Sequence, residues 1–242
     1  MSLLTVTKSQ SFRGDKKHLI HFLVPFEKKF LKAALPWVPG WLNTAQLTLM
    51  TVLWSVTVAL SGYLAQGNIQ WMWLFSAAIL MQYITDMLDG EVGRSRNSGL
   101  IKWGFYMDHF LDYVFLCSIV TGYSFLLPVT YGPLTLLCLT FTAGFMVHTF
   151  MDFSITHNFK ISCNEFGVSE ARMLLVFFNI LLIVFGPGLL VKVFPFFVGL
   201  AFVGLCALVY NSQKIYRHLD TLKQAQNDEV ETNHGKPFVK IF

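Results

Sequence analysis

Long apolar runs constrain this chain more than any other feature. Six can be marked, at about 44–65, 69–92, 100–127, 132–156, 170–190 and 193–213, separated by short turns rich in Gly, Asn or Pro such as Gly67-Asn68 and Pro128 to Pro133. About 20 apolar residues suffice to carry a helix across the hydrocarbon core of a bilayer. The composition points to the same solvent. Of 242 residues 54% are hydrophobic and 13% charged, about half the roughly 25% of an ordinary globular chain. That is too little charge to coat a body in water, and it excludes a disordered protein and a secreted disulfide scaffold. Cys117, Cys138, Cys163 and Cys206 are widely spaced, with no CxxC pair or Cys/His cluster, so neither a zinc site nor a disulfide framework is expected.

Basic residues give the expected threading, because cytoplasmic segments carry the excess of Lys and Arg. Seven lie in residues 1–34. Arg94, Arg96 and Lys102 follow the second run, Lys160 and Arg172 the fourth, and five more the tail from 214; only Lys192 of the 18 falls on the other side. The expected fold is therefore an all-α polytopic membrane protein with six transmembrane helices and both termini cytoplasmic. No signal peptide is expected, since no long apolar core or small-residue cleavage site follows the early charges. Leu19, Phe22, Leu23, Phe26 and Phe30 recur at helical spacing opposite Glu27, Lys28, Lys29 and Lys32. This predicts an interfacial amphipathic helix kinked at Pro25, the alternative being a solvated arm. The division expected is residues 1–40 as arm and interfacial helix, 41–217 as membrane domain and 218–242 as a polar, partly disordered cytoplasmic tail.

Four aspartates interrupt the second and third runs. An ionised carboxylate at mid-membrane costs roughly 2.5–3.5 kcal/mol on insertion scales, so four of them imply a polar or metal-filled interior. Asp86 and Asp89 are spaced i, i+3, and Asp108 and Asp112 i, i+4, which places each pair on one helix face. At about 1.5 Å rise per residue, Asp86 lies about 12 Å in from Arg94, and Asp108 and Asp112 about 9 and 15 Å in from Lys102. The two helices are expected to be antiparallel neighbours with a short connection, so all four carboxylates can meet at one level, in the cytoplasmic third of the bilayer. Oxygen-only ligands suit Mg²⁺ or Mn²⁺ rather than zinc. Gly90, Gly93 and Gly104 are expected to let backbones approach where the helices cross.

Asp86-x-x-Asp89-Gly90-x-x-Gly93-Arg94, nine residues, then Gly104-x-x-x-Asp108-x-x-x-Asp112, resembles the signature of the CDP-alcohol phosphotransferases, also called CDP-alcohol phosphatidyltransferases. Gly93 stands where the family usually has Ala. The resemblance spans roughly residues 40–215 and is looser at Asn43 to Thr48, where Ala45 replaces an expected Asn of a Pro-Asn-x-x-Thr segment. It implies transfer of a phosphoalcohol group from a CDP-linked donor to an alcohol or lipid acceptor, with release of CMP. It also implies two Mg²⁺ or Mn²⁺ ions on Asp86, Asp89 and Asp108, with Asp112 as general base that also touches a metal. Gly90, Gly93 and Gly104 would line the substrate site, with room for the cytidine at Gly90 and Gly93, and Arg94 at the rim would pair with a phosphate. A homodimer is implied as well, with membrane lipids as surroundings and no nucleic-acid partner.

Other polar residues carry two readings each. Arg96 reads as a topological anchor. His109 is either an acid/base group beside Asp108 or structural, and His148 with Asp152 either binds something or joins helices. Glu170 is either an acid favoured by a helix N-terminus or a catalytic residue, since Val168-Ser169-Glu170 resembles a stretch of the choline/ethanolamine phosphotransferases. Lys160 either touches a head group or snorkels. A divalent-cation carrier would explain the acids but not the glycine and Arg94 spacing, and a silent scaffold fits poorly with an intact acidic set. Asn97-Ser98, Asp108-His109 and the Glu170 stretch favour CDP-choline or CDP-ethanolamine plus diacylglycerol over CDP-diacylglycerol plus a polar alcohol such as glycerol phosphate, inositol phosphate or serine. The expected location is a bacterial inner membrane or an internal eukaryotic one, with the site opening to the cytoplasm.

Overall fold

The structure is a computed structural model, and it describes residues 24–98, 100–156 and 168–234. Among these there is no strand. Seven helices follow one another: α1 Val24–Ala34, α2 Thr44–Leu64, α3 Met72–Ser95, α4 Ile101–Ser124, α5 Gly132–Thr156, α6 Val168–Phe185 and α7 Gly188–His234. Each of the six apolar runs has become one long helix. Four segments are long and apolar enough to cross a membrane: Thr44–Leu64, Val129–Ile155, Val168–Phe185 and Gly188–Leu222. Helices α3 and α4 have the length, 24 residues each, but carry the acids.

The side chains of α2 are arranged opposite to those of a helix in water. Its buried face is Thr44, Leu47, Thr48, Thr51, Ser55, Val58, Ser61 and Gly62, while Leu49, Val52, Leu53, Val56 and Leu60 face outward. Lipid solvates large apolar groups as well as a protein interior does, so helices in a bilayer associate through small residues that permit close packing and through hydrogen bonds. Buried hydroxyls bond to the helix itself, Ser55 to the Thr51 carbonyl at 2.8 Å and Ser61 to that of Val58 at 3.0 Å. The seam closes tightest at Gly62 and Gly122, where a Cβ on Gly62 would overlap the Gly122 backbone of α4 and one on Gly122 would sit 2.5 Å from the Phe75 ring. Beside it Tyr123 donates to Asn179 Oδ1 at 2.6 Å, and the Asn179 amide to Ser76 at 3.0 Å, linking α4, α6 and α3. The apolar core, with Val58, Phe75, Ile79, Phe115, Ile119 and Leu182, surrounds this network.

At the other end α2 begins with a reciprocal cap. Asn43 Oδ1 accepts from the Gln46 N–H at 3.0 Å, and Gln46 Oε1 from the Asn43 N–H at 2.9 Å. Arg96 straps this entry to the end of α3, donating to the carbonyls of Leu42, Val38 and Pro39 at 2.6, 2.9 and 3.2 Å. It is therefore a structural clamp as well as a surface cation. The α6–α7 turn passes through Gly186 at φ +80, in the left-handed region that a Cβ disfavours.

Pro25 is the second described residue of α1, so the segment on which a kink was expected there, with Leu19, Phe22 and Leu23, lies outside the described residues. The segment after 218, expected to be partly disordered, is helical to His234; Leu, Lys, Gln, Ala and Glu, all good helix formers, make up half of residues 219–234. Residues 1–198 and 199–242 form two separate compact units.

Candidate active site

Helices α3 and α4 both pack chiefly against α2 and hardly against each other, while α6 packs on α3. Contrary to the expectation of direct neighbours, a gap between α3 and α4 is filled by polar side chains. Asp86 from α3 and Asp108 and Asp112 from α4 each bring an oxygen into it, all within 4.8 Å of one another. Three like charges this close need a cation. One is the Arg172 guanidinium of α6, with Nη1 at 2.8 Å from Asp86 Oδ2 and Nη2 at 3.3 Å from Asp112 Oδ1. The Gln82 amide of α3 donates to the same Asp112 oxygen at 3.3 Å, and its buried Oε1 has no hydrogen-bond partner among the described residues. The donor set is thus all oxygen, three carboxylates with a neutral carbonyl beside them, and it fits a hard divalent cation such as Mg²⁺ or Mn²⁺.

Asp89 is not part of that trio. An i, i+3 step turns about 60° around a helix, enough to aim Asp89 at α2. There the Thr48 hydroxyl lies 2.8 Å from Asp89 Oδ2, and the Thr44 hydroxyl 3.4 Å from the Asp89 carbonyl. The acids therefore form a group of three with the fourth clamped from the side, not one level set of four.

A sequence model of the CDP-alcohol phosphatidyltransferase family matches residues 37–209. The chain belongs to that family. No curated protein and no solved structure gives a match. As a CDP-alcohol phosphatidyltransferase it is a membrane-embedded transferase of the kind that moves a phosphoalcohol group from a CDP-linked donor to an alcohol or lipid acceptor in phospholipid synthesis.

The remaining residues of this transferase's signature fall in several environments. Gly93 does lie at a close approach, since a Cβ there would sit 3.1 Å from the Thr44 hydroxyl of α2. Gly104 has open space around it, and a Cβ on Gly90 would meet only the mobile Arg94 side chain at 3.5 Å, so neither marks a helix crossing. That role belongs to Gly62 and Gly122. Arg94 is largely exposed and pairs with Glu91 at 2.8 Å.

His109 donates from Nδ1 to the Phe105 carbonyl at 2.6 Å. A carbonyl only accepts, so Nδ1 carries a proton. The ring lies among Phe105 and Phe150, with Nδ1 3.9 Å from Asp108. Glu170 lies in the first turn of α6, two residues before Arg172. His148 and Asp152 are half-buried one turn apart on α5. Lys160 lies outside the described residues. Arg172, Gln82 and Thr48 were not singled out as site residues by the sequence, although Gln82 is one turn before Asp86 on the same face.

Proposed function

We propose that the chain transfers phosphocholine or phosphoethanolamine from its CDP derivative to diacylglycerol, with Asp86, Asp89, Asp108 and Asp112 holding two Mg²⁺ or Mn²⁺ ions. The observation that carries the reaction is the convergence of three carboxylates within 4.8 Å in a chain of this family. Bound there, divalent ions supply neutralisation of the donor's pyrophosphate and of departing CMP. The chain's own groups do the rest. Asp112 accepts through Oδ1 from Gln82 and Arg172, which fixes its plane for taking the acceptor's hydroxyl proton. Thr48 holds Asp89 in place from α2. Gly90, Gly93 and Gly104 bound the nucleotide's space, and Arg94 would exchange Glu91 for a donor phosphate. His109 through Nε2, and Glu170, are further candidates for proton transfer.

Charge supports an uncharged acceptor. A phosphorylated alcohol needs several cations beyond the one that would meet the donor, but Arg96 is held by three backbone carbonyls and Arg172 by two aspartates. The domain is read as six-spanning with both termini cytoplasmic. In its favour, α3 and α4 are each about 36 Å long at 1.5 Å per residue, and 17 of 18 basic residues fall on one side. Family resemblance adds a homodimer.

The test is CMP release by purified protein with Mg²⁺ or Mn²⁺. CDP-choline or CDP-ethanolamine with diacylglycerol is assayed against CDP-diacylglycerol with glycerol phosphate, inositol phosphate or serine. Release with only the second set overturns the substrate assignment. Full turnover after EDTA treatment overturns the metal site.

A further inference from the structure

The guanidinium of Arg172 occupies an unusual place. It is buried, its side chain 8% exposed, and its two terminal nitrogens reach the Asp86 and Asp112 carboxylates on different helices. These are two of the three groups whose oxygens converge within 4.8 Å. The guanidinium carbon also stands 5.6 Å from the centre of the Tyr83 ring, a cation–π contact. Tyr83 is itself fixed, its hydroxyl donating to Glu27 of α1 at 2.6 Å, while Ser169 donates to the same Glu27 oxygen at 2.7 Å. The arginine therefore has two supports, the acids on one side and an immobilised ring on the other.

A lone pair donated to an N–H cannot also ligate a metal. A divalent ion of the Mg²⁺ class sits at about 2.0–2.1 Å from its oxygen ligands, and beside it a buried positive charge is repelled rather than screened. We infer that Arg172 is a built-in counter-ion that competes with the divalent cation for Asp86 and Asp112, so that metal entry requires the guanidinium to release at least one of them. This rests on the metal-site reading above and deepens it. The competition is a coupling between two cations, and coupling is reciprocal: whatever the arginine takes from metal affinity, the metal takes from the arginine's hold on the acids. Tyr83 provides the face on which the released guanidinium remains.

The sign of one measurement separates this role from a structural one. A residue that only holds the acids in place would, when removed, loosen the site and weaken metal binding. A competitor, when removed, leaves the metal tighter. Mn²⁺ binding is measured on detergent-purified full-length protein by the electron paramagnetic resonance of free Mn²⁺, for wild type, Arg172→Gln, Arg172→Lys and Asp86→Asn. Arg172→Gln should bind Mn²⁺ about tenfold more tightly than wild type, within the usual range of coupling between sites. Its melting point in EDTA should fall while the rise produced by Mn²⁺ grows. Arg172→Lys keeps the charge but loses the two-pronged grip, so its affinity should lie between the two; if the Gln variant does not fold, a Lys variant tighter than wild type carries the same conclusion. Equal or weaker Mn²⁺ binding in the folded arginine variants overturns the competition while leaving the metal site intact. Loss of Mn²⁺ binding in Asp86→Asn locates the metal at the acids. Unchanged binding there, or none in any variant, overturns the metal-site reading and this inference with it.

Discussion

Thr48 offers a clean perturbation of the acidic set, because its hydroxyl bonds an Asp89 carboxylate oxygen from α2. The side chain is 2% exposed and Asp89 7%. Its oxygen lies 2.8 Å from Asp89 Oδ2 and 3.0 Å from the Thr44 carbonyl. One hydroxyl has one proton, and the charged oxygen is the stronger acceptor. Thr48→Val replaces that hydroxyl by a methyl of the same shape and leaves the packing unchanged. What is lost is a buried hydrogen bond to a carboxylate, worth about 1.5–3 kcal/mol. At about 1.4 kcal/mol per tenfold this is about 10–150-fold in any equilibrium that depends on the bond, close to the roughly 10–100-fold found when a partner orienting a metal ligand is removed. The assay is the Mn²⁺ concentration giving half-maximal CMP release, which should rise by that factor in Thr48→Val and stay near wild type in Thr48→Ser. If Thr48→Val needs no more Mn²⁺ than wild type, α2 does not orient Asp89 for metal binding.

Other consequences can be checked in the same preparations. Asp112→Asn should lower turnover by about 10²–10⁴-fold while CDP-alcohol binding, measured by calorimetry, changes little; near-normal turnover would remove Asp112 as the base. Gly122→Ala pushes a methyl into Phe75 and should cost about 1–3 kcal/mol of overpacking, read as a lower melting point in detergent, whereas Gly104→Ala, with open space around it, should melt no lower than wild type. In a cysteine-free background, cysteines at Gln66 and Pro133 should react with an impermeant reagent from outside the cell and one at Lys8 should not; labelling of all three from one side breaks the six-span reading.

The helices were legible because hydropathy and turn residues are local properties: each of the six apolar runs became a helix, the first five close to their expected bounds and the sixth running on to His234. Asp86, Asp108 and Asp112 were legible because burying an acid in an apolar run has few explanations. Asp89 stands beside the trio rather than level with it for a geometric reason: i, i+3 residues share a broad face but diverge enough to serve different neighbours. Arg172 read as one more cytoplasmic cation because its pairing spans 86 residues of sequence, and no local pattern reports that. The glycines teach a similar point. Gly90, Gly93 and Gly104 attracted attention through the signature, yet the tightest crossing uses Gly62, at the end of the stripe of Thr, Ser and Gly along α2, and Gly122 of α4, which no motif marked.

That stripe also bears on how the molecule can be handled. A water-soluble helical bundle hides its Leu and Val and shows its hydroxyls; α2 does the reverse, and α6 and α7 add exposed Leu174, Phe177, Phe185, Phe196 and Leu200. Stripped of amphiphile, these outward apolar side chains would meet water, the condition under which exposed apolar surface drives association, and chains would cohere through them before their interior loosened. Precipitation of this protein is thus a failure of its solvent rather than of its fold, and the choice of detergent or nanodisc becomes as much a part of its stability as any residue in the seam.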